Sequence, residues 1–214
     1  YAEDGTRQWA HAFSHGEEGF DAAVGVAVAP NGELVVGGEA AHAMNDGWGW
    51  LARLTADGDP VWDLDQPDLS TAYRIAFDTD GNFVVVGSEP YLLAPTEPPA
   101  RISRHTADGT TTWVHTVDTM GPYAENFARG VDFDGAGNLY VSGSLSTRER
   151  LLTKLTPDGA VVWEMAIPGD PYQFNLATDI AVTHDGDVFV GGYVEHAAWV
   201  GRYDTDGGLV WSDM

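Results

Sequence analysis

Five tryptophans recur along this chain at intervals of 53, 51, 50 and 48 residues. Each stands four positions after the glycine of an Asp-Gly pair, and the five are Trp9, Trp62, Trp113, Trp163 and Trp211. A period near 50 residues with a turn signal at a fixed offset is typical of a stacked repeat architecture. We therefore expect equivalent units in series, with the Trp side chains packed between neighbouring units.

Each complete unit is predicted to form four short strands. Two apolar strands flank a tight Asn-Gly, Asp-Gly or Gly-Asn turn, the second strand ends on glycine, and the third carries a basic residue five positions before the glycine of the next Asp-Gly pair. The basic residues are Arg53, Arg104, Lys154 and Arg202, for which we expect a structural ion pair or carbonyl contact within the blade. The pattern predicts an all-β β-propeller of four-stranded antiparallel blades, about four repeats of ~50 residues plus one extra N-terminal strand. The predicted blades are residues 21–66, 70–118, 126–168 and 175–214.

The first Trp has no complete unit of its own. The repeat register would put its basic residue just before Tyr1, so Trp9 is predicted to lie in an extra outer strand over residues 5–13. Four blades plus one strand do not close neatly. We therefore expect residues 1–214 to be one propeller domain or part of a larger ring, with self-association possible through the unpaired strand.

The charge of the chain excludes some partners. Its 33 acidic and ten basic residues give a formal net charge of -23, which disfavours nucleic acid and anionic membranes. No apolar run is long enough for a membrane-spanning helix, and the absence of cysteine excludes disulfides and thiolate metal sites. The acidity is interpreted as a solvated surface suited to saline media, with cation binding as the alternative.

The repeat units resemble a known group of bacterial proteins. The segments DIAVTHDGDVFVGGY (residues 179–193) and WVGRYDTDGGLVW (residues 199–211) are similar to the bacterial β-propeller repeats called SBBP and, more distantly, to NHL repeats. The resemblance covers residues 21–214. It implies a secreted or surface-attached bacterial protein, and it implies little about activity because fold does not determine function.

One set of oxygen donors occupies equivalent positions before the first strands. The four are Asp21, Ser70, Asn126 and Asn175. They are expected to ring the mouth of the axial channel, where oxygen ligands suit Ca²⁺. The alternative interpretation is that they cap the turns that lead into the strands, with no cofactor at all.

Two further groups are candidate ligand-binding residues. Arg74 and Asp179 share one strand position two blades apart, and they are expected to meet across the axis only in a closed four-blade ring. The loops on the same face carry aromatic residues among carboxylates, a mixture that suits a glycan or a basic peptide. The aromatic candidates are Trp48, Trp50, Tyr91, Tyr123 and Tyr172. Alternatively, these rings cover the tops of the blades.

The motif search favours a binding module over an enzyme. No nucleophile elbow, His-Glu-x-x-His pair or phosphate-binding loop occurs. The enzymes nearest in fold, the calcium-dependent gluconolactonases, use an Asn in the first strand, where this chain has Val24, Tyr73, Arg129 and Thr178. We therefore predict a secreted acidic binding or scaffold module that recognises a glycan or protein. The alternative is a calcium-dependent hydrolase or lactonase with its site at the axial mouth.

Overall fold

A computed structural model describes residues 3–15, 19–42, 47–90, 99–117, 126–145, 149–168, 175–194 and 197–214. Within these ranges the chain forms sixteen strands in four separate antiparallel sheets, each built from four consecutive strands. No helix in the described ranges is long and apolar enough to cross a membrane. The all-β propeller architecture predicted from the repeat is confirmed.

The four sheets are the four blades, numbered in chain order. Blade 1 contains β1 (Gly19–Val28), β2 (Leu34–His42), β3 (Trp48–Leu54) and β4 (Pro60–Gln66). Blade 2 contains β5 (Thr71–Phe77), β6 (Phe83–Ser88), β7 (Ala100–His105) and β8 (Thr111–Val117). Blade 3 contains β9 (Asn126–Phe133), β10 (Leu139–Leu145), β11 (Glu149–Leu155) and β12 (Val161–Pro168). Blade 4 contains β13 (Asn175–Val182), β14 (Val188–Val194), β15 (Ala197–Tyr203) and β16 (Leu209–Asp213).

Every first strand carries a β-bulge at the same repeat position. The register against the second strand shifts at the bulge in all four blades, and a bulge re-aims the residue that follows it. Opposite the bulge, the second strand holds a glycine whose added Cβ would collide with a carbonyl oxygen of the first strand. These glycines are Gly38, Gly87, Gly143 and Gly192. The repeated glycine near the end of each second strand is therefore required, because the backbones of the first and second strands approach closely there.

The hydrophobic core lies between blades. Each large cluster joins side chains of two consecutive blades, as where Leu51 of blade 1 packs with Ile75 and Phe83 of blade 2. Similar clusters join blade 2 to blade 3 and blade 3 to blade 4. Stability is thus shared along the array, because each blade buries its apolar face only against a neighbour.

The array has two uncovered ends. Val26 and Val28 on the first strand of blade 1 are 63% and 65% exposed, whereas Ile75, Val131 and Ile180, which match Val26 in the repeat, are only 4–7% exposed. At the other end, Trp211 of blade 4 is 42% exposed. Blade 1 and blade 4 therefore do not bury these end faces against each other in the described part of the chain.

The N-terminal segment, residues 6–15, crosses the free face of blade 1. It forms no strand, in contrast to the strand predicted over residues 5–13, because no neighbouring strand pairs with it. It is fixed by side chains instead: Phe13 and His15 pack on Trp50, and the His15 ring bonds the carboxylate of Asp63 at 2.9 Å.

Candidate functional site

The repeated tryptophans hold one blade to the next. Four of the five donate their indole Nε1–H to a backbone carbonyl of the next blade along the chain, in its outer turn between the third and fourth strands. The bonds are Trp9 to Ala56 at 3.2 Å, Trp62 to Ala107 at 3.2 Å, Trp113 to Pro157 at 3.2 Å and Trp163 to Thr205 at 3.0 Å. The predicted packing role between units is confirmed for these four side chains.

The repeated basic residues share the same acceptors. Arg53, Arg104 and Lys154 each donate to the carbonyl that also receives the Trp of their own blade, at 2.6, 2.6 and 3.2 Å. The repeat arginines also pair with a carboxylate at the first hairpin turn of their own blade, and the pairs are Arg53–Glu33, Arg104–Asp78 and Arg202–Asp187. The predicted ion pair within the blade is confirmed for the arginines, whereas the carbonyl contact joins two blades.

The first strands bring Arg74 and Asp179 together. The residue after the bulge is Gly25, Arg74, Gly130 or Asp179 in the four blades, so two glycines alternate with two charged residues. Arg74 and Asp179 form an ion pair in which both side chains are about half exposed. The pair therefore spans from blade 2 to blade 4 although the end faces stay open, so the expectation that it requires a closed four-blade ring is wrong.

Two aromatic rings pack against Arg129 on the first strand of blade 3. Its guanidinium carbon lies 4.7 Å from the centroid of Tyr73 and 5.0 Å from that of Phe127, within cation–π range. Burial raises the pKa of the Tyr73 hydroxyl, while the charge of Arg129 opposes this shift. The sequence analysis did not predict this cation–π contact. The available signal was an arginine at the bulge position, where the other blades carry uncharged residues.

The two predicted loop-face tryptophans differ in accessibility. Trp48 is half-buried and donates its Nε1–H to Asp65 at 3.1 Å. Trp50 is 1% exposed beneath Phe13 and His15, with its ring also over Gly38. The structure thus places Trp50 in the core and not on the loop face, because the N-terminal segment covers that side of blade 1. Tyr91, Tyr123 and Tyr172 lie outside the described residues.

The predicted calcium ligands occupy unlike environments. Asp21 accepts the backbone N–H of His15 at 2.9 Å, Ser70 is half-buried, and Asn126 and Asn175 are buried at the starts of β9 and β13. The set contains only one carboxylate, and that carboxylate is already bonded. No group of three or more His, Asp or Glu side chains able to hold a metal occurs within the described residues. The set fits Ca²⁺ poorly, since calcium sites combine several oxygen ligands, commonly including more than one carboxylate.

A cavity of about 520 Å³ opens on the side of the hairpin turns, among blades 2, 3 and 4. Three of its carboxylates are already bonded: Asp78 to Arg104, Asp132 to the N–H of Val182, and Asp134 to the Asn138 side chain and Tyr140. Asp78 also accepts the backbone N–H groups of Asp80 and Asn82, both at 2.9 Å. The Asp-Gly segments therefore act as turns, as predicted, and their carboxylates stabilise backbone.

Comparison with known proteins identifies the fold only. No known protein family and no curated protein matches the sequence. A protein of unknown function from Bacteroides caccae has a TM-score of 0.59 at 17% identity, over 90% of this chain and 61% of its own. One from Dyadobacter fermentans has 0.58 at 15% identity, over 92% and 70%. The calcium-binding protein regucalcin from Agrobacterium tumefaciens has 0.52 at 15% identity, over 87% and 58%.

These similarities agree with the architecture derived above. The chain spans about 60% of the length of the Bacteroides protein and of regucalcin. The protein belongs to the class of β-propellers. Sequence identities of 15–17% support no inference about its ligands or activity.

Proposed function

We propose that this protein is a secreted, acidic β-propeller module that binds a glycan or another protein on its loop face. The main observation behind the proposal is that repeated and non-repeated residues have different roles. The Trp and basic residues of the repeat are bonded between blades, whereas the residues at the loop ends of the strands differ from blade to blade. Recognition by variable loops on a fixed scaffold is a common arrangement.

At the loop end of blade 1, two aromatic residues of the proposed binding surface lie in the described part of the chain. Phe20 is exposed at the start of β1, and Trp48 begins β3 with its indole N–H held by Asp65. An oriented indole beside a carboxylate suits a sugar ring, which stacks its C–H face and donates its hydroxyls. Secretion, and kinship with SBBP-type and NHL-like repeats, belong to the same proposal and rest on the sequence resemblance.

A glycan array followed by titration of the strongest hit tests this proposal. Trp48→Ala should weaken binding at least about tenfold, the loss of roughly 1.4 kcal/mol of contact. Trp211→Ala is the matched control, since Trp211 is likewise an accessible indole, 42% exposed, but lies on the outer strand of blade 4. Equal binding by wild type and Trp48→Ala would contradict the assigned surface, and the absence of any glycan or secreted-protein ligand would contradict the module.

The second candidate is a calcium-dependent hydrolase or lactonase at the axial mouth. The observation in its favour is that Asn126 and Asn175 start adjacent first strands that pack together. Calorimetry of EDTA-treated protein with Ca²⁺ separates the candidates. One tight site abolished by Asn126→Ala or Asn175→Ala would favour the hydrolase, and no heat would favour the binding module.

The proposed partners follow from charge and from the free faces. A chain of net charge -23 is proposed to bind neither nucleic acid nor membrane. Self-association through residues 5–13 stays a prediction. In the structure Trp9 and His15 are bonded to blade 1 of the same chain, so any exchange between chains would first have to release the N-terminal segment.

A further inference from the structure

Arg150 is a buried cation with no carboxylate partner among the described residues. It is the second residue of β11, the third strand of blade 3, and is only 6% exposed. One of its nitrogens, Nη2, donates to the carbonyl of Pro168 at 3.1 Å, whereas Nε and Nη1 have no hydrogen-bond partner in the described structure. Its guanidinium lies 4.1 Å from the centroid of Trp199 in blade 4.

The lack of a carboxylate partner distinguishes Arg150 from the arginines at the repeat position. Acidic residues outnumber basic ones by 33 to ten, and the arginines of the repeat each have a carboxylate partner. No carboxylate of a described residue lies within the 4.0 Å of an ion pair with Arg150. A buried charge left in this way destabilises the fold unless another group compensates it. No carboxylate of a described residue offsets this cost, and the anionic group of a bound ligand would.

Arg150 also lines a cavity of about 460 Å³ at the boundary of blades 3 and 4. Val194, Trp199 and Met214 give this cavity apolar walls, and Ser212 and Asp213 give it a hydroxyl and a carboxylate. One cation beside hydrogen-bonding oxygens and apolar surface matches a ring that carries one carboxylate and several hydroxyls. We propose that the cavity binds an acidic sugar residue, with the sugar carboxylate on Arg150 and its hydroxyls toward Ser212 and Asp213.

This inference rests on the proposed glycan-binding function, and it assigns the class of glycan. The acidic field of the protein would repel a long polyanion, so the inference concerns one uronic acid residue and not an extended polyuronate. The site also lies apart from Trp48, which is in blade 1. The two surfaces can therefore be tested separately.

Saturation-transfer NMR and calorimetry in moderate salt provide the test, with methyl β-glucuronide as the probe. Methyl β-glucoside, which lacks the carboxylate, and acetate, which lacks the ring, are the controls. We expect binding of the glucuronide and at least tenfold weaker binding of both controls, since a hydrogen bond between two charged groups is stronger than one between neutral groups. Arg150→Gln should weaken glucuronide binding by at least the same factor, and Ser212→Ala by less.

Folding of the variants is checked independently. Arg150→Met should unfold at or above the wild-type temperature, because it replaces a buried charge that has no carboxylate partner among the described residues by an apolar side chain of similar length. No glucuronide binding by folded wild type, or equal binding of glucuronide and glucoside, would overturn the site. If Trp48-dependent glycan binding persists in that case, only the cavity assignment fails. If both are lost, the proposed function fails with it.

Discussion

Trp163 and Trp211 have the same repeat position in different surroundings. Trp163 bonds Thr205 of the next blade and packs against Gly207, whereas Trp211 faces no further blade. Trp163→Ala should therefore lower the free energy of unfolding by about 3–5 kcal/mol, and Trp211→Ala by about 1 kcal/mol or less. Urea denaturation measures both. Equal losses would show that the indole stabilises its own blade and not the contact between blades.

His105 links stability to pH. Burial lowers the pKa of His105 to about 4, with the charge of Arg101 adding to the shift and the carbonyl of Gly109 opposing it. The unfolded chain, with a pKa near 6.5, takes up the proton first as pH falls. Stability from this group is complete above pH 6.5 and is lost toward pH 4, with a loss of about 2 kcal/mol between pH 7.5 and pH 5.

His105→Gln isolates that contribution. Urea denaturation of wild type and variant at pH 7.5 and pH 5 gives the pH dependence of each, and the difference cancels the titration of the carboxylates. We expect a flatter dependence for His105→Gln. A variant as pH-sensitive as wild type would mean that His105 is protonated in the folded protein.

At the scale of the element, two turn glycines separate backbone strain from packing. Gly81 and Gly159 both have positive φ, 81° and 87°. A Cβ at Gly81 would meet nothing within 4 Å, but one at Gly159 would lie 2.7 Å from Trp113 of the preceding blade. Gly81→Ala should cost about 1–2 kcal/mol from the left-handed backbone alone.

Gly159→Ala should cost that amount plus about 1–3 kcal/mol, because the indole of Trp113 must move. Thermal and urea unfolding of the two variants side by side measure the difference. A smaller loss for Gly159→Ala than for Gly81→Ala would mean that the outer turn does not depend on the indole packed against it.

The strands themselves were predictable, because their signals are local. Turn glycines with positive φ and the glycine opposite each bulge occupy fixed places in the repeat, so periodicity finds them. The positions that were wrong depend on contacts far apart in sequence. Trp50 has the local signature of an exposed loop residue, but the distant Phe13 and His15 pack over its ring and help to bury it. The Arg150–Trp199 contact likewise joins two blades and has no repeat signature.

At the scale of the whole molecule, acidity should make stability depend on ionic strength. Thirty-three acidic residues on a 214-residue chain repel one another more in the compact state than in the unfolded state. Raising NaCl from 0.05 to 0.5 M shortens the screening length to a few ångströms. If this adds about 1 kcal/mol of stability, the unfolding temperature rises by about 2–4 °C.

The choice of salt provides the control for that experiment. KCl should act like NaCl at equal ionic strength, because screening depends on charge and concentration only. A much larger rise with CaCl₂ at matched ionic strength would indicate specific cation binding and would favour the hydrolase candidate. An unfolding temperature that does not change with NaCl would contradict the repulsion argument.

The shared carbonyl acceptors give the array a polarity. One side of each blade offers the indole and the basic side chain as donors, and the other side offers the outer-turn carbonyl as acceptor. Contacts between end faces of two molecules would therefore have to run head to tail, a geometry that yields either rings or open filaments. Trp9 already occupies the acceptor of blade 1. The donor face of another molecule could therefore use this acceptor only after the Trp9 indole has released it.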